Sequence, residues 1–176
     1  VVLVSAADLP HYATGADGSR TQVVTSGSRR LAEFASVMDL VGVDDWDVLF
    51  TDPDTYLALD TMPRKALVQQ LESAGRLAID TIEPTMVMIP AISYNQDHEA
   101  VYRAAITATR PGAPGQKHTV PFVLVYDNTS LFWSGTGAHF SPNCYVDVTD
   151  FLDIKIEALR QHASQVREPR YHGSPE

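Results

Sequence analysis

An amide, two carboxylates and an imidazole are clustered at the start of an alanine-rich stretch of the chain. They are Asn95, Asp97, His98 and Glu99 in the sequence YNQDHEAVYRAAITATRP, which spans residues 94–111. An imidazole beside carboxylates can bind a divalent metal or transfer a proton. Asn95 or Asp97 also suits an ordinary helix N-cap, a role that needs no chemistry. Spacing alone favours the N-cap, so other features of the chain must decide.

Several familiar site patterns are not formed by this sequence. Tyr102 stands four residues after His98, where a helical zinc-protease motif would have its second histidine. The single cysteine, Cys144, excludes an intrachain disulfide and any zinc site built from several cysteines. We expect Cys144 to be a small buried side chain within a strand. A P-loop and a Gly-x-Gly-x-x-Gly turn after a strand are both absent from the sequence.

Composition limits the classes of partner. The chain has 176 residues, of which 44% are hydrophobic, enough for one domain over residues 1–176. A formal net charge of −9 and a pI near 5.0 disfavour nucleic acid and anionic membrane surfaces as partners, because both would be repelled. A small neutral or cationic molecule fits better. The sequence has no apolar run long enough to span a bilayer, cytoplasm is the default compartment for a chain with one cysteine, and the oligomeric state stays open.

Short apolar segments alternate with helical patterns along the chain. The predicted strands cover residues 1–6, 46–51, 85–91, 121–130 and 143–149. The predicted helices cover residues 28–43 with Ser28 as N-cap, 67–82, the stretch after His98, and 150–165 with Asp150 as N-cap. Residues 8–27 are expected to form a loop. Alternation of this kind is typical of an α/β domain with a mostly parallel sheet.

The predicted topology places the opening cluster at a ligand-binding edge. In open parallel sheets, ligands bind beyond the carboxyl ends of the strands. Asp97 and His98 directly follow the predicted strand at residues 85–91, where the amino end of the next helix also contributes backbone N–H groups and its dipole. A functional interpretation of the cluster is therefore worth pursuing.

Three separated motifs, taken together, resemble the LmbE-like or PIG-L family of zinc-dependent N-acetylsugar deacetylases. They are RRLAEFASVMDLVGV, then NQDHEAVYRAAITATRP after an apolar strand, then FSPNCYVDVTDFLDIKIEALRQHASQ, and the resemblance covers residues 1–165. It implies a Rossmann-like, mostly parallel sheet with helices on both faces. It also implies Zn²⁺ or another divalent metal as cofactor and a small amino-sugar conjugate as substrate.

The resemblance assigns roles to individual residues. The second family motif, commonly His-Pro-Asp-His, matches residues 95–98, which makes His98 a metal ligand and Asp97 a carboxylate that orients an imidazole or a water. Asn95 stands where many members have a histidine; an amide can donate a hydrogen bond but cannot transfer a proton. Asp97 and Asn95 are thus the candidate catalytic residues. Arg30 and Glu33 match an Arg-x-x-Glu pair whose arginine faces the substrate, although they equally suit a solvated helix face.

The first family motif, His-Pro-Asp-Asp-Glu, has no match in the chain. It supplies two further metal ligands and the general base, and the strand before it lies in the middle of the family's sheet, between the strands that match residues 1–6 and 85–91. The sequence opens abruptly with VVLVSA, without an initiator methionine. We therefore expect a truncated domain whose first central strand is missing, with no regular ladder between residues 1–6 and 85–91.

Two functions follow from this resemblance. The first is a metal-dependent hydrolase that removes an acetyl or other acyl group from an N-acetylated amino sugar or related amide, inactive in the form of this fragment. The alternative is a non-catalytic carbohydrate-binding or scaffolding domain of the same fold, in which Asn95-Gln96-Asp97-His98 is only a helix cap.

Overall fold

The computed structural model describes residues 1–15, 17–93, 95–113, 115–127 and 141–165. The strands are β1 (Val2–Ser5), β2 (Leu9–Thr14), β3 (Arg20–Thr25), β4 (Asp47–Phe50), β5 (Met86–Pro90) and β6 (Phe122–Tyr126). The α-helices are α1 (Gly27–Leu40), α2 (Arg64–Gln69), α3 (Ile79–Ile82), α4 (Gln96–Thr109) and α5 (Leu152–Gln161). Short 3₁₀ turns cover Leu59–Thr61 and Thr149–Phe151. No helix of the described part is long and apolar enough to cross a membrane.

Four strands form two separate parallel pairs. β1 pairs with β4, with Val2 opposite Asp47, and β5 pairs with β6, with Met86 opposite Phe122. These strands match four predicted apolar segments. Each is short and rich in Val, Ile, Leu and Phe, the composition of strands that are covered on both faces.

All four parallel strands point the same way. At their carboxyl ends, Asp97, which follows β5, accepts a hydrogen bond from Leu59 N, which follows β4. At their amino ends, Val1, Asp45 and Pro84, which precede β1, β4 and β5, line one cavity. The architecture is therefore an α/β, Rossmann-like fold, as predicted.

Helices cover both faces of β1. Leu3 and Ser5 line a cavity together with Phe34 of α1 and Leu159 of α5. Val2 and Val4 instead line a different cavity that α4 also borders. Alternate residues of a strand point to opposite faces, so α1 and α5 lie on one side of the sheet and α4 lies on the other. A cluster of buried residues packs β5 against the helices on this second side, and it contains Ile79, Ala108 and Val120 with Val68, Leu71 and Val87 around them.

The loop expected at residues 8–27 is in fact largely an antiparallel hairpin. β2 and β3 pair from Leu9 opposite Thr25 to Thr14 opposite Arg20. The tip closes with Gly15 N donating to Ser19 O, and Gly18 adopts a φ of 80°, which favours glycine. Tyr12 and Thr14 in β2, and the threonines and valines of β3, supply β propensity that the many turn residues nearby concealed.

The prediction of a single helix over residues 67–82 was also wrong, because the helical structure is interrupted at Gly75. α2 ends at Gln69 and continues as a π-helical turn over Gln70–Ala74, which closes with Gly75 N donating to Gln70 O at 2.9 Å. A Cβ on Gly75 would lie 2.5 Å from Gln70 O, so this turn requires glycine. α3 begins only at Ile79.

Three local expectations about the helix caps and the last strand are corrected. The N-cap of α1 is Ser26, whose side chain accepts from Arg29 N, rather than Ser28. α5 starts after a 3₁₀ turn at Thr149–Phe151, with Phe151 rather than Asp150 at its N-cap position. Residues 143–149 are not a strand, and Cys144 is exposed rather than buried in one. Residues 143–149 have the β-branched and aromatic composition of a strand, but no described strand pairs with their backbone.

The expected break in the sheet lies between β1 and β5. Within the described residues, β1 pairs only with β4 and β5 pairs only with β6. The space between β1 and β5, called the β1–β5 slot below, is a cavity of about 770 Å³. It is bordered by Val2 and Val4 of β1, by β5 along its whole length, and by Val101 and Ala105 of α4.

Candidate functional site

Asn95 is the N-cap of α4. Its Oδ1 accepts hydrogen bonds from the backbone N–H groups of Asp97 at 2.9 Å and His98 at 3.3 Å. These bonds satisfy two of the N–H groups that a helix start leaves without a partner inside the helix. The side-chain oxygen of Asn95 is thereby occupied, so the part of this side chain that could contact a ligand is its NH₂ group. The sequence suggested Asn95 or Asp97 as the N-cap, and the structure shows that it is Asn95.

Asp97 is buried and holds the segment that follows β4. Its Oδ1 accepts from Leu59 N at 3.0 Å, and next to it the Gln96 side chain donates to Leu57 O at 3.0 Å. Leu57 has a φ of 60°, which is unfavourable for a leucine and needs such support. Burial raises the pKa of Asp97, and the backbone hydrogen bonds it accepts only partly offset this effect. The first role of Asp97 is therefore structural, because it connects the segment after β4 to the start of α4, which follows β5.

His98 presents a neutral imidazole at the carboxyl end of β5. Its Nδ1 is buried and has no hydrogen-bond partner among the described residues. Burial lowers the pKa of His98 below its ordinary 6.5, and the nearby Asp97 carboxylate only partly opposes this effect. A neutral imidazole with an unused nitrogen is what a divalent metal requires of a histidine ligand. Asp97 does not hold His98 through Nδ1, since that atom has no partner in the described part of the chain.

Arg30 lies at the carboxyl end of β1. Its Nη1 donates to Ala7 O at 2.8 Å, and its guanidinium carbon lies 4.9 Å from the centre of the Tyr56 ring. The backbone contact fixes the side chain beside the strand end, and the ring stabilises its charge. Arg30, on α1, thus contacts the segment directly after β1, whereas His98, on α4, lies in the helix that follows β5.

The slot is also the point where the chain reverses its direction of winding. From β1 the chain proceeds through α1 to β4 on one side, and it then returns past β1 to β5 and β6 on the other side. Ligands of open α/β sheets bind at such switch points, outside the carboxyl ends of the strands. Arg30 and His98 occupy this position by topology.

Sequence reasoning missed the partner of Glu33. Ser164 donates to Glu33 from its backbone N at 3.0 Å and from its Oγ at 2.6 Å, and Arg29 Nε donates at 3.1 Å. Burial tends to raise the pKa of Glu33, but these hydrogen bonds outweigh it and the pKa is lowered. Ser164 lies 131 residues away along the chain, so no local pattern could reveal the contact. Glu33 fastens the end of α5 to α1.

His162 is a half-buried imidazole near Arg30. It lines a cavity of about 300 Å³ with Arg30, Glu33 and Phe34. Burial lowers the pKa of His162, and Arg30 acts in the same direction while Glu33 opposes it. No sequence pattern singles out this histidine, since it stands alone in a helical stretch.

The described residues do not contain three His, Cys, Asp or Glu side chains placed to hold a metal ion together. The described residues supply one neutral imidazole beyond the carboxyl end of β5 and one guanidinium beyond the carboxyl end of β1. Such a pair can contribute one ligand to a divalent metal and one contact to an oxygen of a bound molecule.

Comparison with known proteins agrees with the fold. No family model and no curated protein matches the chain. Among solved structures, the conserved protein TT1542 from Thermus thermophilus is similar, with a TM-score of 0.60 and 21% sequence identity over 81% of this chain. The chain spans about 60% of the length of TT1542. At this level of identity the likeness establishes a shared fold, and the chain is α/β and Rossmann-like.

Proposed function

We propose that the chain is part of a metal-dependent hydrolase that removes an acetyl or other acyl group from an N-acetylated amino sugar or related amide. The observation that carries the proposal is His98, a neutral imidazole with a buried, unpartnered Nδ1 at the switch point of the sheet. A structural histidine at such a position would normally use its buried nitrogen in a hydrogen bond. The resemblance to the LmbE-like or PIG-L deacetylases adds the substrate class.

In this proposal the residues of the chain divide the work between metal and substrate. His98 provides one metal ligand, and a divalent metal in such a site activates a water and polarises an amide carbonyl. Arg30, held by Ala7 O beyond the carboxyl end of β1, contacts an oxygen of the sugar conjugate. Asp97 and Asn95 fix the loop and the helix start that carry His98. They act as positioning residues, and the Asn95 NH₂ group is free to donate to the substrate.

The remaining ligands and the general base are not among the described residues. In the family that the sequence resembles, they follow a strand that lies between those matching β1 and β5. The β1–β5 slot has this position. Support for the proposal therefore comes from His98 lying in the helix that follows β5, one of the two strands that border the slot.

The test compares two histidines in the natural protein at its full length. We expect the His98→Ala variant to lose the zinc of this site. It should also lose most of its activity in hydrolysing N-acetylglucosamine conjugates. His118→Ala is the matched control, because His118 lies at the opposite end of the sheet, where its ring contacts Pro84 O. Metal content by atomic absorption and acetate release are measured on both. Equal zinc content and activity in wild type and His98→Ala would overturn the proposal.

The alternative is a non-catalytic carbohydrate-binding or scaffolding domain. The capping by Asn95 and the clamp by Asp97 favour it, since both residues have structural roles that need no metal. In that case sugar binding should persist after exhaustive chelation and in His98→Ala. Calorimetric titration with N-acetylglucosamine in the presence and absence of chelator distinguishes the two.

A further inference from the structure

A short segment after β4 connects the two helices that carry Arg30 and His98. The Tyr56 ring of this segment lies 4.9 Å from the guanidinium carbon of Arg30, which belongs to α1. The next residue, Leu57, accepts a hydrogen bond of 3.0 Å at its carbonyl oxygen from Nε2 of Gln96, the first residue of α4. Two adjacent residues thus make both contacts, so a change at one contact can affect the other.

Leu57 has a backbone conformation that costs free energy. Its φ of 60° lies in the left-handed region, where the Cβ of a leucine crowds its own backbone. Its side chain is 44% exposed, so burial contributes little to holding this conformation. Hydrogen bonds contribute instead, since Gln96 donates to Leu57 O and Leu59 N donates to Asp97. The conformation of Leu57 therefore depends on contacts with the start of α4.

Gln96 is exposed, and its neighbours already fulfil the structural roles at this helix start. Asn95 caps α4, and the buried Asp97 accepts a backbone N–H from the segment after β4. One exposed side-chain hydrogen bond adds little to the stability of the whole chain, so the effect of Gln96 is local. What Gln96 fixes is the carbonyl group of Leu57, the residue directly after Tyr56.

The orientation of the Arg30 guanidinium depends on two contacts. Nη1 donates to Ala7 O at 2.8 Å, and the guanidinium lies over the Tyr56 ring. One hydrogen bond still allows the guanidinium plane to rotate about it, whereas a ring against the face of the guanidinium fixes that plane. All donors of an arginine lie in the plane of its guanidinium. Tyr56 therefore sets the directions in which Arg30 can donate to a bound molecule.

We propose that Gln96 is a positioning residue of the hydrolase. By holding Leu57 in its left-handed conformation, Gln96 keeps the Tyr56 ring over Arg30. This fixes the plane of the guanidinium that contacts the substrate. The inference rests on the proposed function, because it takes Arg30 as a substrate contact. It assigns a role to a residue that neither caps the helix nor binds metal.

The first experiment measures Gln96→Met in the natural protein at its full length. Methionine keeps the length of the side chain and removes its N–H donors. The KM for N-acetylglucosamine should rise about two- to tenfold, the worth of one hydrogen bond of ordinary strength. The kcat and the zinc content should not change, because the variant weakens a binding contact only. Gln69→Met, at an exposed glutamine of α2, is the matched control and should leave KM, kcat and zinc content unchanged.

A rescue variant tests whether the effect passes through Leu57. Glycine adopts a φ of 60° without strain, so Leu57→Gly should make the support from Gln96 unnecessary. In the Leu57→Gly background, Gln96→Met should change KM by less than about twofold. Comparison within one background removes any direct effect of the missing leucine side chain. An equal rise in KM in both backgrounds would overturn the role through Leu57.

NMR of the Arg30 guanidinium tests the same link without any reaction. The Tyr56 ring current displaces the Arg30 resonance, which Arg30→Ala identifies by its loss. Gln96→Met should move this resonance toward its position in Tyr56→Leu, and Leu57→Gly should restore it. An unchanged resonance in Gln96→Met would mean that the Ala7 contact alone orients Arg30, and the inference would be wrong.

The two measurements separate failure of this inference from failure of the proposed function. A displaced resonance with an unchanged KM in Gln96→Met would show that the orientation of Arg30 is unimportant for substrate binding, which also overturns the inference. Absence of hydrolysis by the wild type would instead overturn the proposed function, and the positioning role with it. A displaced resonance together with a raised KM, both restored by Leu57→Gly, is the expected result.

Discussion

The carboxylate of Asp97 accepts a hydrogen bond of 3.0 Å from the backbone N–H of Leu59, which lies 38 residues earlier in the chain. Leu59 follows β4 and Asp97 follows β5, so one bond connects the ends of two strands that belong to separate parallel pairs. Both residues are buried. The residue that the sequence suggested for catalysis is thus also a structural link across the sheet.

Asp97→Ala should destabilise the chain by about 1–3 kcal/mol, because it leaves the buried Leu59 N–H without a partner. Asp97→Asn keeps an acceptor at this position and should cost less. Urea denaturation of the two variants measures the difference. Equal free energies of unfolding for the alanine variant and the wild type would contradict a stabilising role of the bond between Leu59 and Asp97.

The stability of the folded chain should also depend on pH through Asp97. Burial raises the pKa of Asp97 above its ordinary 3.8, so just above that pH the folded chain binds more protons than the unfolded chain. Stability from this group therefore falls as the pH rises through the window between 3.8 and the raised pKa. Asp97→Asn should lack this slope when denaturation is followed between about pH 4 and 6.

His98 should titrate below its ordinary pKa of 6.5, since burial disfavours the imidazolium. The unfolded chain then binds more protons than the folded chain, so stability from this group is lost as the pH falls below 6.5 through the lowered pKa. A pH titration of imidazole resonances by NMR, with His98→Asn to identify the signal, measures the pKa. A midpoint above 6.5 would refute the burial argument.

Glu33→Gln should release the end of α5 from α1. It weakens two charge-assisted bonds from Ser164 and should cost about 1–2 kcal/mol. Because the pKa of Glu33 is lowered from 4.5, this stability should disappear in the wild type as the pH falls from 4.5 through the lowered pKa. Faster hydrogen exchange at residues 162–165 reports the release. Glu99→Gln, which loses only a surface pair with Arg103, is the control and should change stability by less than about 0.5 kcal/mol.

Arg30→Lys and Arg30→Ala should lower kcat/KM for an N-acetylated amino sugar by about tenfold or more without changing metal content, if the proposed function holds. Lysine cannot replace the planar contact with the Tyr56 ring and with Ala7 O together. Arg29→Ala is the neighbouring control, because Arg29 contacts the exposed side of Glu33. Equal losses in Arg29 and Arg30 variants would indicate a general effect on α1.

The sequence by itself determined the α/β class, the strands β1, β4, β5 and β6, and the presence of a capped helix after β5. Their signals are local: continuous apolar runs mark covered strands, and Asn95 before a helical stretch marks its cap. The position of His98 beyond β5 followed from the same order of elements. The resemblance to a deacetylase family added the expectation that residues 1–6 and 85–91 form no ladder with each other. Among the described residues, β1 and β5 are not paired.

Only the tertiary structure decided which of these residues have partners. The hairpin at β2 and β3, the break at Gly75 and the bond between Asp97 and Leu59 depend on contacts that no short window of sequence contains. Ser164 reaches Glu33 from 131 residues away. Within the residues that the structure describes, His98 Nδ1 is buried without a partner, which no neighbour in sequence indicates. Burial and long-range hydrogen bonds are properties of the packed chain, and they separate a helix cap, a clamp and a ligand that look alike in sequence.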